Sequence, residues 1–293
     1  MLIHARLVMA LVALVIASSA HASNDLDPIE CSACESWNEA VEPYALAPHT
    51  WYVGTRGLAS VLIADPDGLV LIDGGLPQSV PHILANVRKL GFAPRNIRWV
   101  LNSHAHFDHA GGIAALARLS GAKVGAGARG VVALETGLYH PDDAQIDFGE
   151  AARYPAVASV VAVQPGEVIR VGALEITAIA TPGHAPGGMS WTWPACVAPG
   201  DCRQMVYLDS LNAVSAPDYR FLDHPEVLAD LRASIDRVRG LDCDVAMAAH
   251  PDQVPADGAG SPCARYAESA ARRLEKRLAQ ERAAREPGTS DAR

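Results

Sequence analysis

The residues best suited to chemistry lie in one short stretch, Asn102-Ser103-His104-Ala105-His106-Phe107-Asp108-His109. It has the pattern H-x-H-x-D-H, in which every named side chain can bind a metal ion. In extended backbone, alternate side chains such as the first two histidines face the same way, whereas the Asp-His pair falls where the chain turns into a helix. Imidazole and carboxylate together favour zinc and similar divalent ions. The stretch therefore predicts two neighbouring metal ions rather than a polar loop with accidental histidines.

Two metal ions need more donors than this stretch supplies, because a catalytic zinc takes three protein ligands and leaves a position for water. His184 lies between Gly and Pro residues in 181–188, which predicts a tight, solvent-accessible turn. His250 directly follows a predicted strand. The predicted first site is His104, His106 and His184, and the predicted second site is Asp108, His109 and His250.

Two further carboxylates follow predicted strands. Asp73 is interpreted as a buried group that orients a histidine ligand, with a turn-forming role as the alternative. Asp209 lies where a bridging carboxylate would fit, and the sequence leaves its role open. The histidines at positions 49, 82, 140 and 224 are interpreted as surface or structural residues.

The periodicity of apolar residues predicts the elements that must position these groups. The predicted strands are 51–54, 60–64, 69–73, 99–101, 123–125, 158–163, 167–171, 174–180, 188–193, 204–208 and 245–249. The predicted helices are 80–90, 113–119, 126–138, 225–238 and 262–284, and 139–153 is predicted to be a long loop near the site. Each half of the chain begins with predicted strands and continues with strand-helix units. This order predicts an α/β fold with two mixed sheets, helices on their outer faces and a site along one edge.

The N-terminus has the features of a secretory signal peptide over 1–22. An apolar run from Leu7 to Ile16, too short to span a bilayer, precedes the A-x-A cleavage site Ala20-His21-Ala22. We expect a periplasmic protein without a membrane anchor. The remaining chain is divided into an N-terminal arm (23–48), one domain (49–285) and a flexible tail (286–293).

Export changes the interpretation of the six cysteines, because an oxidising compartment favours disulfides. Their grouping along the chain predicts three local pairs. These are Cys31/Cys34, Cys196/Cys202 and Cys243/Cys263. The first pair is a C-x-x-C without a thioredoxin-like context, so a structural role is favoured over a redox role.

The formal charge is -9, and Lys and Arg are clustered only in the last predicted helix. A nucleic-acid partner is disfavoured, because phosphate binding requires clustered cations.

Together these motifs resemble the metallo-β-lactamase superfamily, and more narrowly the third subclass of the class B β-lactamases. The resemblance covers nearly all of the predicted mature chain. The matching stretches are 51–55, 71–75, 103–112, 181–188, 191–193, 207–211 and 249–251, together with the Cys243/Cys263 pair.

This resemblance implies an αββα four-layer sandwich and two zinc ions held by the six ligands above. The sequence is silent on the oligomeric state, for which a monomer is the default expectation. It also implies hydrolysis of the β-lactam amide of penicillins, cephalosporins and carbapenems by a zinc-generated hydroxide that Asp108 orients. Ser210 and Asn212 are similar to residues that contact the substrate carboxylate, although Asn212 replaces the more usual Ser or Thr.

Other functions of the same fold are the main alternatives. A glyoxalase II-like thioesterase would use Asp209 as a bridging ligand, but its substrate is cytosolic. A lactonase is a further candidate, and the acidic charge disfavours an RNase-like phosphodiesterase. A non-catalytic zinc-binding module is disfavoured by the complete ligand set.

Overall fold

Two mixed β-sheets form the centre of the computed structural model, which describes residues 25–285. The first sheet has the order β1 (Tyr44–Ala47), β2 (Thr50–Tyr52), β3 (Val61–Asp65), β4 (Gly68–Ile72), β5 (Ile97–Leu101), β6 (Lys123–Gly127) and β7 (Val161–Val163). The second has the order β12 (Val245–Ala248), β11 (Asp201–Leu208), β10 (Met189–Ala198), β9 (Leu174–Ala180) and β8 (Val168–Val171). Strands β4 to β7 are parallel, as are β11 and β12, and the other neighbours are antiparallel.

Helices accompany both sheets. They are α1 (Cys34–Trp37), α2 (Val80–Lys89), α3 (Phe107–Ala110), α4 (Ile113–Ser120), α5 (Val131–Thr136), α6 (Pro225–Arg239) and α7 (Pro262–Arg285). Short 3-10 turns occupy Pro77–Ser79, Pro94–Asn96, Ala128–Gly130, Ile146–Ala152, Phe221–Asp223 and Pro251–Gln253. Within 25–285, none of these helices combines the length and the hydropathy that a bilayer crossing would need.

Alternation along the strands builds the layers. In β4, Leu69 and Leu71 pack in one cluster with residues of α2, α4 and α5, whereas Val70 and Ile72 pack in the core between the sheets. Alternate residues of β11 divide in the same way between the intersheet core and a cluster with α6 and α7. Because strand side chains point alternately to opposite faces, each sheet is buried on both sides. The predicted αββα sandwich is confirmed.

Two differences from the sequence-based predictions concern the first sheet. Tyr44–Ala47, within the predicted arm, pairs with β2 as an edge strand, because backbone pairing at an edge needs little apolar pattern. The predicted helix over 126–138 is wrong at its start. There β6 continues to Gly127 and pairs with β7, and α5 begins only at Val131. The predicted signal peptide (1–22) and tail (286–293) lie outside the described residues.

All six cysteines are paired in disulfides, in the three pairs expected from the sequence. Cys196 and Cys202 face each other across the hairpin of β10 and β11, which is longer than predicted. Cys243 and Cys263 are both buried and join the segment before β12 to the first turn of α7.

Removing the Cys243–Cys263 bridge should destabilise the protein by about 3 kcal/mol, because the unfolded chain regains the freedom of a closed loop with a sequence separation of 20. The double variant Cys243→Ala/Cys263→Ala should show this in urea unfolding. The matched variant Cys196→Ala/Cys202→Ala opens a loop with a separation of only 6 and should lose less, about 2 kcal/mol. The reverse order would contradict the loop-entropy account.

Candidate metal centre

The predicted ligands meet at one edge of the sandwich, where several strands end. The backbone continues the pairing just beyond β4 and β5, since Asp73 N donates to Leu101 O at 2.8 Å and Asn102 N donates to Gly125 O at 2.9 Å. At the ends of β11 and β12, Ala249 N donates to Leu208 O at 2.9 Å. Parallel neighbours end at the same edge of a sheet, so loops from both halves of the chain converge there.

His104, His106 and His184 form the first group. One ligand atom of each lies within 4.8 Å of the others, and all three side chains are buried. The predicted first site is therefore assembled from residues 80 positions apart in sequence. The turn with His184 was expected to be solvent-accessible, but the imidazole is only 6% exposed.

The second group lies against the first. His104, Asp108 and His109 bring one ligand atom each within 4.8 Å of one another, so His104 borders both groups. His250 joins them, because its Nε2 atom lies 3.3 Å from Asp108 Oδ2 and 3.3 Å from His109 Nε2. All six predicted ligands thus converge on one small volume.

Hydrogen bonds on the outer side orient three of the imidazoles. His104 Nδ1 lies 2.8 Å from Asp209 Oδ1, and His250 Nδ1 lies 3.1 Å from Gly57 O. His184 Nδ1 lies 2.8 Å from Asn212 O. In each ring the Nδ1–H bond to an oxygen leaves Nε2 unprotonated and facing the cluster. His104 Nε2 is buried without a hydrogen-bond partner among the described residues, as expected for an atom that binds a metal.

The charge states of three of the ligands also suit a divalent cation. Burial, and then the neighbouring His106, lower the pKa of His184 to about 3, so its imidazole is neutral. Burial and the nearby His109 and His106 lower the pKa of His104 in the same direction. Burial alone would raise the pKa of Asp108, but His109 and His250 hold it well below its ordinary value. Neutral imidazoles and an ionised carboxylate are the forms that bind metal.

Asp73 is hydrogen-bonded to the two residues that directly precede the first ligand. It accepts hydrogen bonds from Ser103 N at 2.7 Å, Ser103 Oγ at 2.6 Å, Asn102 Nδ2 at 3.1 Å and Tyr207 OH at 2.8 Å. Its Oδ2 atom also lies 3.8 Å from His109 Nδ1, an electrostatic contact that is too long for a hydrogen bond. The predicted role of Asp73 in orienting a histidine ligand stays a prediction.

Asp209 lies on the outer side of His104. Its Oδ1 atom contacts His104 Nδ1 and accepts a hydrogen bond from Ser210 N at 2.7 Å, while Oδ2 accepts one from Thr181 Oγ1 at 3.3 Å. The carboxylate is fully buried and belongs to neither ligand group. This geometry resolves the role that the sequence left open: Asp209 positions His104.

Glycines allow the turn around His184 to pack closely. Gly183 has a φ of +127°, and a Cβ atom there would lie 2.5 Å from Leu231 Cα. A Cβ atom at Gly188 would lie 2.3 Å from Asp209 Oδ2. Side chains at these positions would therefore displace His184 or the partner of His104.

The predicted substrate contacts lie beside the ligands. Ser210 is only 1% exposed and accepts a hydrogen bond from Asn212 Nδ2 at 3.2 Å, whereas Asn212 is partly exposed. A cavity of about 640 Å³ has the ligand His184 in its wall, together with Ile146, Tyr219 and Arg129. The substrate role of Ser210 and Asn212 stays a prediction.

The sequence analysis missed two residues beside the cluster. Asp143, in the loop predicted near the site, lies 2.9 Å from His106 Nε2, and Trp37 packs against His250 with ring centroids 5.2 Å apart. An Asp in a polar loop and a Trp in an N-terminal segment carry no spacing signal. Only their placement in the fold identifies them.

The comparisons with known proteins agree with this geometry. A family model of the metallo-β-lactamase superfamily matches residues 53–197. A subclass B3 metallo-β-lactamase with an active-site glutamic acid is 44% identical, covers 89% of this chain and 99% of its own, and has a TM-score of 0.84. The subclass B3 enzyme MEM-A1, from a soil metagenome library, is 45% identical, with 85% and 100% coverage and a TM-score of 0.80.

Curated sequences of other hydrolases match shorter stretches. A hydroxyacylglutathione hydrolase of Anaeromyxobacter dehalogenans is 31% identical over 48% of this chain and 44% of its own length. An N-acyl homoserine lactonase of Bacillus cereus is 27% identical over 17% of this chain and 30% of its own. The chain spans less than half the length of either relative. Because full-length structural neighbours share its fold and more than 40% of its sequence, this chain belongs to the metallo-β-lactamase superfamily.

Proposed function

We propose that this protein hydrolyses the β-lactam amide bond of penicillins, cephalosporins and carbapenems with two zinc ions. The observation that carries the proposal is the convergence of six candidate ligands in a chain whose sequence is 44% identical to that of a B3 β-lactamase. These ligands are His104, His106, His184, Asp108, His109 and His250. We also propose that the chain acts in the periplasm as a monomer.

The chain's own residues prepare the site for this chemistry. When bound, zinc lowers the pKa of water to near 7 and polarises the carbonyl that is attacked. The first three histidines would hold one ion, and Asp108, His109 and His250 would hold the other. The ionised Asp108 is placed to orient the attacking water and accept its hydrogen bond. Asn212, which is partly exposed beside His184, would contact the substrate carboxylate.

Asp209 separates this proposal from the thioesterase alternative. A bridging carboxylate needs free oxygen atoms that face both metal positions. Here both oxygens of Asp209 are bound by His104, Ser210 and Thr181 on the outer side of the cluster. The arrangement favours a β-lactamase, in which the metals need no such bridge. A lactonase is the second candidate function, because a curated N-acyl homoserine lactonase is similar to part of this sequence.

The proposal is tested by assaying the purified protein with a chromogenic cephalosporin, a carbapenem, a glutathione thioester and an acyl homoserine lactone. We expect turnover of both β-lactams, loss of it with a chelator and recovery with added zinc. Elemental analysis should find two zinc ions per chain. Turnover of only the thioester or the lactone would refute the proposed substrate class, whereas metal-independent β-lactam turnover would refute the mechanism.

A further inference from the structure

His106 is the one histidine of the first group whose protein partner contacts Nε2 rather than Nδ1. Its Nε2 atom lies 2.9 Å from Asp143 Oδ2, and both side chains are almost fully buried. The contact spans 37 positions of the chain. His106 is thus bound through Nε2, whereas His104, His184 and His250 are bound on the outer side through Nδ1.

A second contact indicates the same protonation pattern. Gln145 Nε2 lies 3.5 Å from His106 Nδ1, so the amide can donate only if Nδ1 carries a lone pair. Asp143 is an acceptor when ionised, so it requires the proton on Nε2. Both neighbours therefore favour the Nε2–H tautomer, in which Nδ1 carries the lone pair that a metal ion would bind in place of the Gln145 amide.

The loop holds His106 on further sides. The ring of Tyr139 stacks on the imidazole with centroids 4.3 Å apart and an interplanar angle of 29°. Asp143 Oδ1 accepts a hydrogen bond from Gln145 N at 2.8 Å, and Ala216 N donates to Ala144 O at 2.9 Å. These bonds fix the loop beside His106, so its orientation depends on the fold of this segment.

We infer that Asp143 is a positioning residue of the first metal site, which selects the Nε2–H tautomer of His106 and directs Nδ1 to the metal. The inference rests on the metal centre of the proposed function. It assigns a role in the metal site to the loop over 139–145. The competing explanation is that Asp143 only closes its own turn, because a side-chain oxygen that accepts from the backbone two residues later forms an Asx turn.

The variant Asp143→Asn separates the two roles. Asparagine can keep the turn through its carbonyl oxygen, but its NH₂ group then faces His106 Nε2 and cannot accept the proton. If the amide rotates instead, the turn loses its acceptor. A turn-forming role alone is met by asparagine as well as by aspartate, whereas a tautomer-selecting role is not.

The experiment measures zinc affinity by competition with a chromophoric chelator, in the wild type, Asp143→Asn and Asp142→Asn. Asp142 is the matched control, because it is an exposed neighbour paired with Arg129 at 2.6 Å. We expect Asp143→Asn to weaken one zinc site by about 10–100-fold and to leave the other unchanged. Asp142→Asn should match the wild type. Equal affinities in all three proteins would overturn the inference.

A second measurement needs neither zinc nor a β-lactam. Long-range ¹H–¹⁵N NMR of the metal-free protein reports imidazole tautomers, and the His106 signals are assigned by their loss in His106→Gln. The wild type should show Nε2–H, and Asp143→Asn should shift the population toward Nδ1–H. An Nδ1–H tautomer in the wild type would overturn the inference. Absence of β-lactam turnover would refute the proposed function and leave this result intact.

Discussion

Asp108→Asn should lower kcat/KM for a cephalosporin by about 10²–10⁴-fold, the loss typical of a missing acid–base group. Asp108 Oδ2 is 3.3 Å from both His109 Nε2 and His250 Nε2, so its charge lies at the centre of the second ligand group. Asparagine keeps the shape of the side chain but removes the negative charge that binds a cation and accepts a proton. Steady-state kinetics and elemental analysis of the same sample check the result.

A control variant and a second measurement test the role of Asp108. The exposed residue Asp257 provides the control Asp257→Asn, which removes the same charge outside the metal centre and should keep wild-type kinetics. Asp108→Asn should also bind less zinc at the second site, while the melting temperature of the metal-free protein does not fall. If Asp108→Asn kept its activity with two zinc ions bound, the assigned role of Asp108 would be wrong.

Asp73→Ala should lower the free energy of unfolding by about 3–5 kcal/mol, because it removes four buried hydrogen bonds worth about 1 kcal/mol each. The fully buried carboxyl group accepts these bonds from Ser103 N and Oγ, Asn102 Nδ2 and Tyr207 OH. Alanine would leave Ser103 N without this acceptor, whereas Asn102 Nδ2 and Tyr207 OH would keep their second acceptors. Asp73 also has a φ of +59°, which is more unfavourable for alanine than for aspartate. Urea denaturation of the metal-free protein measures the change directly.

The control for this prediction is Asp67→Ala in the exposed turn between β3 and β4. Its effect should stay within about 0.5 kcal/mol, as for most surface substitutions. Asp73→Ala should also reduce zinc binding at both sites, because Ser103 and Asn102 lead directly into the H-x-H-x-D-H stretch. A loss below 1 kcal/mol, similar to the control, would contradict the network.

Local spacing predicted much of the metal centre. His104, His106, Asp108 and His109 are neighbours in sequence, so the alternation of extended backbone and the following helical turn largely determine where they point. His184 and His250 were predicted from the donors that two zinc ions need and from their places after strands. The structure brings all six together.

Pairing between distant segments was less predictable. The Ala- and Gly-rich start of 126–138 has no periodicity that opposes a helix, yet Ala126 and Gly127 extend β6 because β7 offers backbone partners. Tyr44–Ala47 joins the first sheet for the same reason. Such contacts depend on which strand lies alongside, and the residues of one segment do not determine which strand its neighbour will be.

The amino-acid sequence alone specifies which side chains could bind metal, that they lie near strand ends, and that side chains along the strands alternate to build two double-sided sheets. These properties follow from short-range spacing, because backbone geometry determines in which direction each side chain along a strand or helix points. The partners of four of the five imidazoles, Asp209, Asn212, Gly57 and Asp143, are set only when distant segments of the chain pack together. These hydrogen bonds span 28 to 193 positions, and they decide which nitrogen of these four rings is left for a metal ion.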